Sequence, residues 1–218
     1  MKLYWGSGSP VSWRVQIALA LKGIEYESHR LDLGAREHRG EPYRAINPLG
    51  TFPVLVDGDS CIRESLAILA YLERHTPQPA LFGDVLPQVA SIWQQVLEHE
   101  SHLGGYVNTL TQALFRDGGL DDPEPAQQAL SAARVELAKL DAILCERDWL
   151  IGATPSALEV VYYPTIHRFQ RAAAKSEAER IGLPSELLRD EYAALFAWLQ
   201  RFASVPGVDA TYPPHWRQ

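Results

Sequence analysis

Residues 51–65 combine features that suit the binding of an extended peptide with a charged end. Pro53 stands directly before the apolar run at 54–56, so it opens a short strand, where a proline removes one ladder donor and can be cis in a tight turn. The neighbouring backbone is then available to pair with an extended peptide by strand addition. Glu64 and Ser65 open a helical pattern, and a helix start offers unsatisfied N–H groups and a positive dipole end to an anion. A generic hairpin leading into a helix is the alternative interpretation.

The elements around this stretch predict a small α/β domain. Residues 3–5 favour a buried strand, and the apolar spacing after Ser12 predicts a helix that ends before Gly23. Residues 26–33 indicate a second strand, and Asp57-Gly58 is a strong signal for a two-residue hairpin. The order β-α-β, polar connection, β-β-α predicts a thioredoxin-like domain with two parallel strands joined by a crossover helix, then a hairpin and a covering helix.

The rest of the chain favours an all-helical domain. A segment rich in proline follows His75 and has the composition of a linker. Apolar periodicity beyond it predicts helices over 90–115, with Gly104-Gly105 as a bend, and over 126–145, 156–174 and 191–203. We therefore assign residues 1–76 to the thioredoxin-like domain, 77–87 to the linker and 88–218 to the helical domain.

Composition narrows the class of protein. The formal net charge of -7 argues against a nucleic-acid partner. No apolar run is long enough to span a bilayer, and the N-terminal residues lack a signal-peptide pattern, so we expect a cytoplasmic protein without a membrane partner. Cys61 and Cys145 lie far apart, which predicts neither a disulfide framework nor a zinc site.

The stretch from Thr51 to Ser65 resembles the glutathione site of the glutathione transferases. In that family the proline is cis, and the residue before it pairs through its main chain with the cysteine of glutathione. The acid–serine pair holds the γ-glutamyl carboxylate and amine. The resemblance therefore implies glutathione as co-substrate, bound by Phe52, Pro53, Glu64 and Ser65. A thioredoxin-like domain followed by an all-helical one is also the architecture of this family, so the resemblance covers essentially the whole chain.

The loop after the first strand resembles that of serine-type transferases. The sequence Ser-Pro-Val-Ser-Trp-Arg-Val at 9–15 is similar to the Ser-Pro-x-x-x-Arg-Val motif of tau-like and phi-like classes, which implies Ser9 as the catalytic residue. The wider string Trp-Gly-Ser-Gly-Ser-Pro and the tail at 212–216 are most similar to the rho class. Residues 13–23 also resemble the zeta class, which includes maleylacetoacetate isomerases. Zeta enzymes carry Ser-Ser-Cys in this loop, whereas Pro10 and Val11 stand at the second and third of those positions here.

Glutathione transfer requires a thiolate near neutral pH. A free thiol has a pKa of about 8.5, and lowering it by about two units requires roughly 2.7 kcal/mol in favour of the charged sulfur. A hydroxyl donor near a helix N-terminus can supply this. The loop offers Tyr4, Ser7, Ser9 and Ser12. We favour Ser9 as the donor and Ser12 as the helix cap, although either serine could cap the helix or stabilise the thiolate.

The resemblance implies further site residues. His38 and Arg39 correspond to a basic pair that contacts the glycyl carboxylate of glutathione, with a solvated charged loop as the alternative. The hydrophobic electrophile pocket is assigned to the following residues: Tyr4, Trp5, Val11, His102 and Tyr106. His99 and His102 would share a helix face, but no third ligand is evident, so we predict no metal site.

The functional hypothesis is a detoxifying, homodimeric glutathione S-transferase. It would conjugate the glutathione thiolate to small hydrophobic electrophiles, with Ser9 stabilising the sulfur. The alternatives are a glutathione-dependent isomerase or peroxidase, and a non-catalytic binding or scaffold protein on the same fold.

Overall fold

The computed structural model describes residues 1–217 and divides the chain into two compact units. The first unit comprises residues 1–81 together with the segment from Ser204 onward, and the second comprises Phe82–Ala203. The sequence had assigned 88–218 to the helical domain. The compact units differ from that division, because the C-terminal segment packs with the first unit.

The first unit contains a four-stranded sheet with helices on both faces. Its elements are β1 Lys2–Trp5, α1 Pro10–Leu21, β2 Glu27–Arg30, a 3₁₀ turn Glu37–Arg39, α2 Glu41–Ile46, β3 Val54–Asp57, β4 Ser60–Arg63 and α3 Ser65–His75. The strand order is β2-β1-β3-β4, with β1 and β2 parallel and the other pairs antiparallel. This topology confirms the predicted thioredoxin-like arrangement, although β2 is shorter than the strand predicted over 26–33.

The alternation of side chains along the strands gives this unit one apolar layer on each face of the sheet. Leu3 and Leu55 are opposite each other in register and fully buried, on the sheet face where α1 and α3 pack together. On the other face Tyr43 of α2 joins Leu31 and Val54 in a second cluster. Because side chains alternate between faces, neighbouring residues of β1 serve different layers.

Lys22 ties the end of α1 to the segment that follows α3. Its ammonium lies 2.7 Å from Oε2 of Glu73 and donates to the carbonyl oxygens of Thr76 (2.7 Å) and Pro79 (2.9 Å). All three ammonium hydrogens therefore have acceptors, which is what a buried lysine requires. The side chain of Lys22 is fully buried.

The second unit is helical throughout its regular structure. Its elements are α4 Leu86–Ser101, α5 Leu103–Phe115, α6 Glu124–Glu146, α7 Ala157–Ala173, a 3₁₀ turn Ser176–Ile181, α8 Leu187–Glu191 and α9 Ala193–Ala203. The single helix predicted over 90–115 was wrong, because the chain breaks at His102 (φ -106°, ψ -101°). The periodic face predicted for α6 is confirmed by the burial of Leu130, Ala133, Leu137, Leu140 and Leu144.

A capping box starts α7. The Ser156 hydroxyl accepts from the Leu158 N–H, while Glu159 accepts from the Ser156 N–H (2.8 Å), the Ser156 hydroxyl (2.8 Å) and the Leu150 N–H (2.7 Å). Burial raises the pKa of Glu159, and the hydrogen bonds from Leu150 and Ser156 oppose that shift. The box therefore anchors both the helix start and the preceding turn. Helix α7 continues through Pro164 to Ala173.

The C-terminal segment closes the first unit through aromatic side chains. It forms short 3₁₀ turns at Asp209–Thr211 and Pro214–Trp216. The Trp13 indole N–H donates to the Thr211 hydroxyl (2.8 Å), and the Trp216 ring meets the Trp13 ring edge-on at 5.5 Å between centroids. Within the described part of the chain, no helix is long and apolar enough to cross a membrane.

Candidate active site

Three segments predicted to bind the same ligand meet at one end of the sheet. The register pairs Tyr4 with Val54 and Val54 with Arg63, so the chain positions just beyond these pairs are neighbours. They are the loop after β1, the Phe52-Pro53 dipeptide before β3, and Glu64-Ser65 after β4. Strand pairing alone thus brings the serine loop, the proline and the acid–serine pair together.

Phe52 contacts the serine loop directly, and its backbone lies outside the strand ladder. A Cβ placed on Gly6 would lie 2.5 Å from the Phe52 ring, so only glycine fits beneath that ring. The Phe52–Pro53 peptide bond is cis. The β1–β3 pairing ends at Val54, two residues after Phe52. The Phe52 backbone groups are therefore available for pairing with an extended ligand.

Ser9 is the N-cap of α1, and Pro10 occupies the first helical position. Its hydroxyl oxygen accepts from the Ser12 N–H at 3.4 Å, a long bond that leaves the hydroxyl proton for another acceptor. Our assignment of the cap to Ser12 was wrong. Ser12 lies inside the first turn, fully buried, and its hydroxyl accepts from the Gly6 N–H at 3.2 Å.

Glu64 and Ser65 occupy the start of α3. Glu64 is the N-cap and has a left-handed φ of 64° with ψ 118°, an unfavourable conformation for a residue other than glycine. Its side chain is exposed and makes no capping hydrogen bond, whereas Ser65 is buried as the first helical residue. The Glu64 carboxylate therefore remains available beside the helix N-terminus.

His38 and Arg39 lie against the segment that leads to Phe52. The His38 ring meets the Phe52 ring edge-on at 5.6 Å between centroids, and its buried Nδ1 has no hydrogen-bond partner within residues 1–217. A Cβ on Gly50 would lie 2.7 Å from the His38 carbonyl oxygen and 3.7 Å from an Arg39 guanidinium nitrogen. His38 therefore contacts Phe52, and Arg39 lies beside Gly50, two residues before Phe52.

The predicted pocket residues of the first unit have different surroundings. Tyr4 stacks on His29 at 4.7 Å between centroids and packs in the apolar cluster under α2. Trp5 is nearly buried at the end of β1, and its indole N–H donates to the Ser28 hydroxyl at 2.8 Å. Val11 is half-buried in the first turn of α1, two residues after Ser9.

The predicted residues of the second unit lie at the break between α4 and α5. His102 is exposed at the break, and its ring is parallel to that of Tyr106 at 6.5 Å between centroids. His99 is buried inside α4 and bonds the Thr165 hydroxyl at 3.0 Å. His99 and His102 therefore do not share a helix face, contrary to our expectation. Within residues 1–217, no group of three or more metal-ligating side chains is suited to hold a metal ion.

Sequence reasoning missed the contribution of the C-terminal turn to the serine loop. The Ser7 hydroxyl is hydrogen-bonded to Nδ1 of His215 at 2.9 Å. A Cβ on Gly8, which has φ 77°, would lie 3.0 Å from ring atoms of His215 and Trp216. The aromatic, proline-rich composition of the tail was the available signal, because such a segment packs rather than frays.

Comparisons with known proteins agree with this architecture. A model for the N-terminal domain of glutathione S-transferases matches residues 1–74, and one for the C-terminal domain matches residues 108–201. A maleylacetoacetate isomerase from Pseudomonas aeruginosa is 33% identical over 186 residues, which are 82% of this chain and 85% of that protein. Glutathione S-transferase A from Pleuronectes platessa is 25% identical over 225 residues, 99% of this chain and 92% of its own length.

A solved structure extends the similarity to the whole fold. The crystal structure of a glutathione S-transferase from the Antarctic clam Laternula elliptica has a TM-score of 0.82 and 25% identity, and the match covers 100% of this chain and 94% of that one. The sheet topology, the cis proline and the isomerase relative at 33% identity lead to the same conclusion. The chain belongs to the glutathione S-transferase family and is an enzyme of that family.

Proposed function

We propose that this protein conjugates glutathione to small hydrophobic electrophiles and that the Ser9 hydroxyl stabilises the glutathione thiolate. The observation that carries the proposal is the position of Ser9 at the N-cap of α1, with a hydroxyl proton that its single long hydrogen bond leaves available. A hydroxyl donor and a helix N-terminus both stabilise a negatively charged sulfur within hydrogen-bonding distance. The enzyme is then of the serine type, most similar to the rho class with some zeta-like and tau-like features.

Glutathione would lie along the edge formed by Phe52, Glu64 and Ser65. The Phe52 backbone would pair with the cysteinyl residue, and Glu64 with Ser65 would hold the γ-glutamyl amine and carboxylate. The carboxylate would also meet the N-terminus of α3. His38 and Arg39 would hold the glycyl carboxylate. The imidazole of His38, whose Nδ1 is buried, would then have a charged neighbour.

The thiolate mechanism needs no general base. Deprotonated glutathione attacks an electrophilic carbon, and the site only has to favour the anion over the thiol. Lowering the thiol pKa by about two units raises the ionised fraction near pH 7 from a few per cent to more than half, at about 2.7 kcal/mol. The residues of the first unit that we assign to the electrophile pocket are Tyr4, Trp5 and Val11.

Glutathione-dependent isomerisation is the second candidate activity. The relative named maleylacetoacetate isomerase covers 82% of this chain, which favours this candidate. Such a reaction would use the same thiolate, adding it to a cis double bond and releasing it after rotation about the resulting single bond. The loop sequence Ser9-Pro10-Val11 in place of Ser-Ser-Cys favours conjugation.

The first experiment is a difference-absorbance titration of the protein with glutathione across pH. We expect a bound thiolate with a pKa about two units below that of the free thiol. Ser9→Ala should raise that pKa and lower kcat at least about tenfold, because each pKa unit corresponds to about 1.36 kcal/mol. Ser12→Ala is the matched control and should leave the bound pKa unchanged. The reverse outcome for the two variants would assign the donor to Ser12, and unchanged turnover in Ser9→Ala would contradict the role of Ser9.

Two substrates separate the candidate activities. A chlorodinitrobenzene reports conjugation, since its chloride is displaced by sulfur, and maleylacetoacetate reports isomerisation without net consumption of glutathione. We expect faster turnover of the chlorodinitrobenzene. We also propose that the protein is a cytoplasmic homodimer with a role in detoxification. Sedimentation of the purified protein tests whether it is a dimer. A protein that binds glutathione as the thiol and turns over neither substrate would instead be a binding or scaffold protein.

A further inference from the structure

A cavity of about 370 Å³ lies beside the loop that carries Ser9. Its lining comes entirely from the first unit and consists of Ser7, Arg30, Leu31, Asp32, Leu33 and His215. The volume lies in the range of sites for small molecules. Two leucines supply an apolar wall, and the remaining side chains are polar or charged.

The C-terminal turn fixes one side of this cavity. The hydrogen bond between Nδ1 of His215 and the Ser7 hydroxyl holds the imidazole in place, and Ser7 lies two residues before Ser9. The ring also lies against Gly8, where a Cβ would come within 3.0 Å of it. Its orientation is therefore set by packing as well as by the hydrogen bond, as a ligand-contacting residue requires.

Arg30 supplies the charge that can recognise a ligand. It ends β2, opposite Trp5 in the register, and is exposed without an ion pair in the part of the chain that the structure describes. Asp32 is the only acid in the lining. Its Oδ1 accepts from the Ala35 N–H at 2.9 Å, and no ion pair joins Asp32 to Arg30 within residues 1–217. The guanidinium therefore remains for an anion, and a carboxylate matches its geometry.

We propose that this cavity receives a carboxylate carried by the electrophilic substrate. Arg30 pairs with the carboxylate, His215 and Ser7 orient it, and Leu31 and Leu33 contact the apolar body of the molecule. The substrate class is then small aromatic or unsaturated acids. This inference rests on the proposed glutathione transferase activity and adds a specificity-determining site to it.

The test compares two glutathione conjugates that differ in one group. A chloronitrobenzoate and its neutral carboxamide are each converted chemically: the thiolate sulfur bonds the ring carbon, and chloride leaves with the bonding electron pair. Calorimetry then gives the Kd of each conjugate for the wild-type protein, for Arg30→Gln and for the control Arg44→Gln, an exposed arginine of α2. We expect the wild type to bind the carboxylate conjugate about tenfold tighter than the carboxamide. Arg30→Gln should bring that ratio to about one, and Arg44→Gln should preserve it.

A second variant tests the C-terminal turn. His215→Phe retains a ring over Gly8 and removes the nitrogen that meets Ser7, so we expect the binding ratio to fall about threefold. A ratio of about one in the wild type, or a ratio that survives Arg30→Gln, overturns the proposal. An equal loss of affinity for glutathione alone in Arg30→Gln also overturns it, because Arg30 would then hold a carboxylate of glutathione itself.

A failure of the proposed enzymatic activity would give a different set of results. Conjugates that bind with the expected ratio, together with chloronitrobenzoate and carboxamide substrates that are never converted, would support the carboxylate site and contradict the transferase reaction. If neither conjugate binds, both proposals are overturned.

Discussion

Replacing Lys22 by methionine should destabilise the protein by about 3 kcal/mol, because the change removes a buried ammonium that pairs with a carboxylate and donates to two carbonyl groups. The ammonium of Lys22 is fully buried and contacts Glu73, Thr76 and Pro79. Removing one partner of a buried ion pair costs about 3–5 kcal/mol. The Glu73 side chain retains 17% exposure and can recruit water, which places the expected loss at the lower end of that range.

A double-mutant cycle isolates the ion pair. The free energy of unfolding is measured by urea denaturation, followed by tryptophan fluorescence, for Lys22→Met, Glu73→Leu and the double variant. We expect the loss of unfolding free energy in the double variant to be at least about 1 kcal/mol smaller than the sum of the losses in the two single variants. The reason is that the double variant retains neither charge of the pair. Lys2→Met removes an exposed pair with Glu27 and should leave the denaturation midpoint unchanged. Additive losses in the cycle would refute the argument.

Three further predictions concern buried titratable groups. Glu159→Ala should cost at least about 3 kcal/mol in urea denaturation, because three donors lose their acceptor, and Glu159→Gln should cost less; equal losses would contradict this. Burial lowers the pKa of His167 to about 4 from 6.5, so its contribution to stability is complete above about pH 6.5 and declines as the pH falls toward 4. His167→Leu should flatten the dependence of the unfolding free energy on pH in that window, and an unchanged slope would count against it. Burial raises the pKa of Tyr43 to about 12, so the free energy of unfolding should fall as the pH rises from about 10 toward 12. Tyr43→Phe should lose one tyrosinate absorbance step from the pH titration, and that step should lie above pH 11 in the wild type.

The sequence was most informative where local signals act together. Asp57-Gly58 sets the hairpin, and the hairpin sets the register that brings Pro53 beside Glu64. Because backbone pairing alone determines that proximity, short motifs predicted it. The cap of α1 could also have been predicted, since a proline at the first helical position identifies the residue before it, Ser9, as the N-cap.

Features that depend on distant residues could not be predicted. One local feature was also misplaced: the apolar periodicity continues through His102, yet the helix breaks there, and Gly104 lies against the end of the preceding helix. A Cβ on Gly104 would lie 2.9 Å from the His99 carbonyl oxygen and 3.2 Å from its ring. The contact between Ser7 and His215 joins residues more than two hundred positions apart, and nothing in either local sequence specifies the partner.

The return of the C-terminal segment to the first unit affects how the protein is made. Residues from Ser204 onward complete a unit that begins at the N-terminus, while the second unit lies between the two parts in the chain. During synthesis the Trp13 indole can find the Thr211 hydroxyl only after the whole helical unit has been translated. The first unit therefore stays incomplete until its C-terminal segment has been translated, and until then the surface that carries Ser9 lacks that turn, whereas the second unit is continuous in the chain.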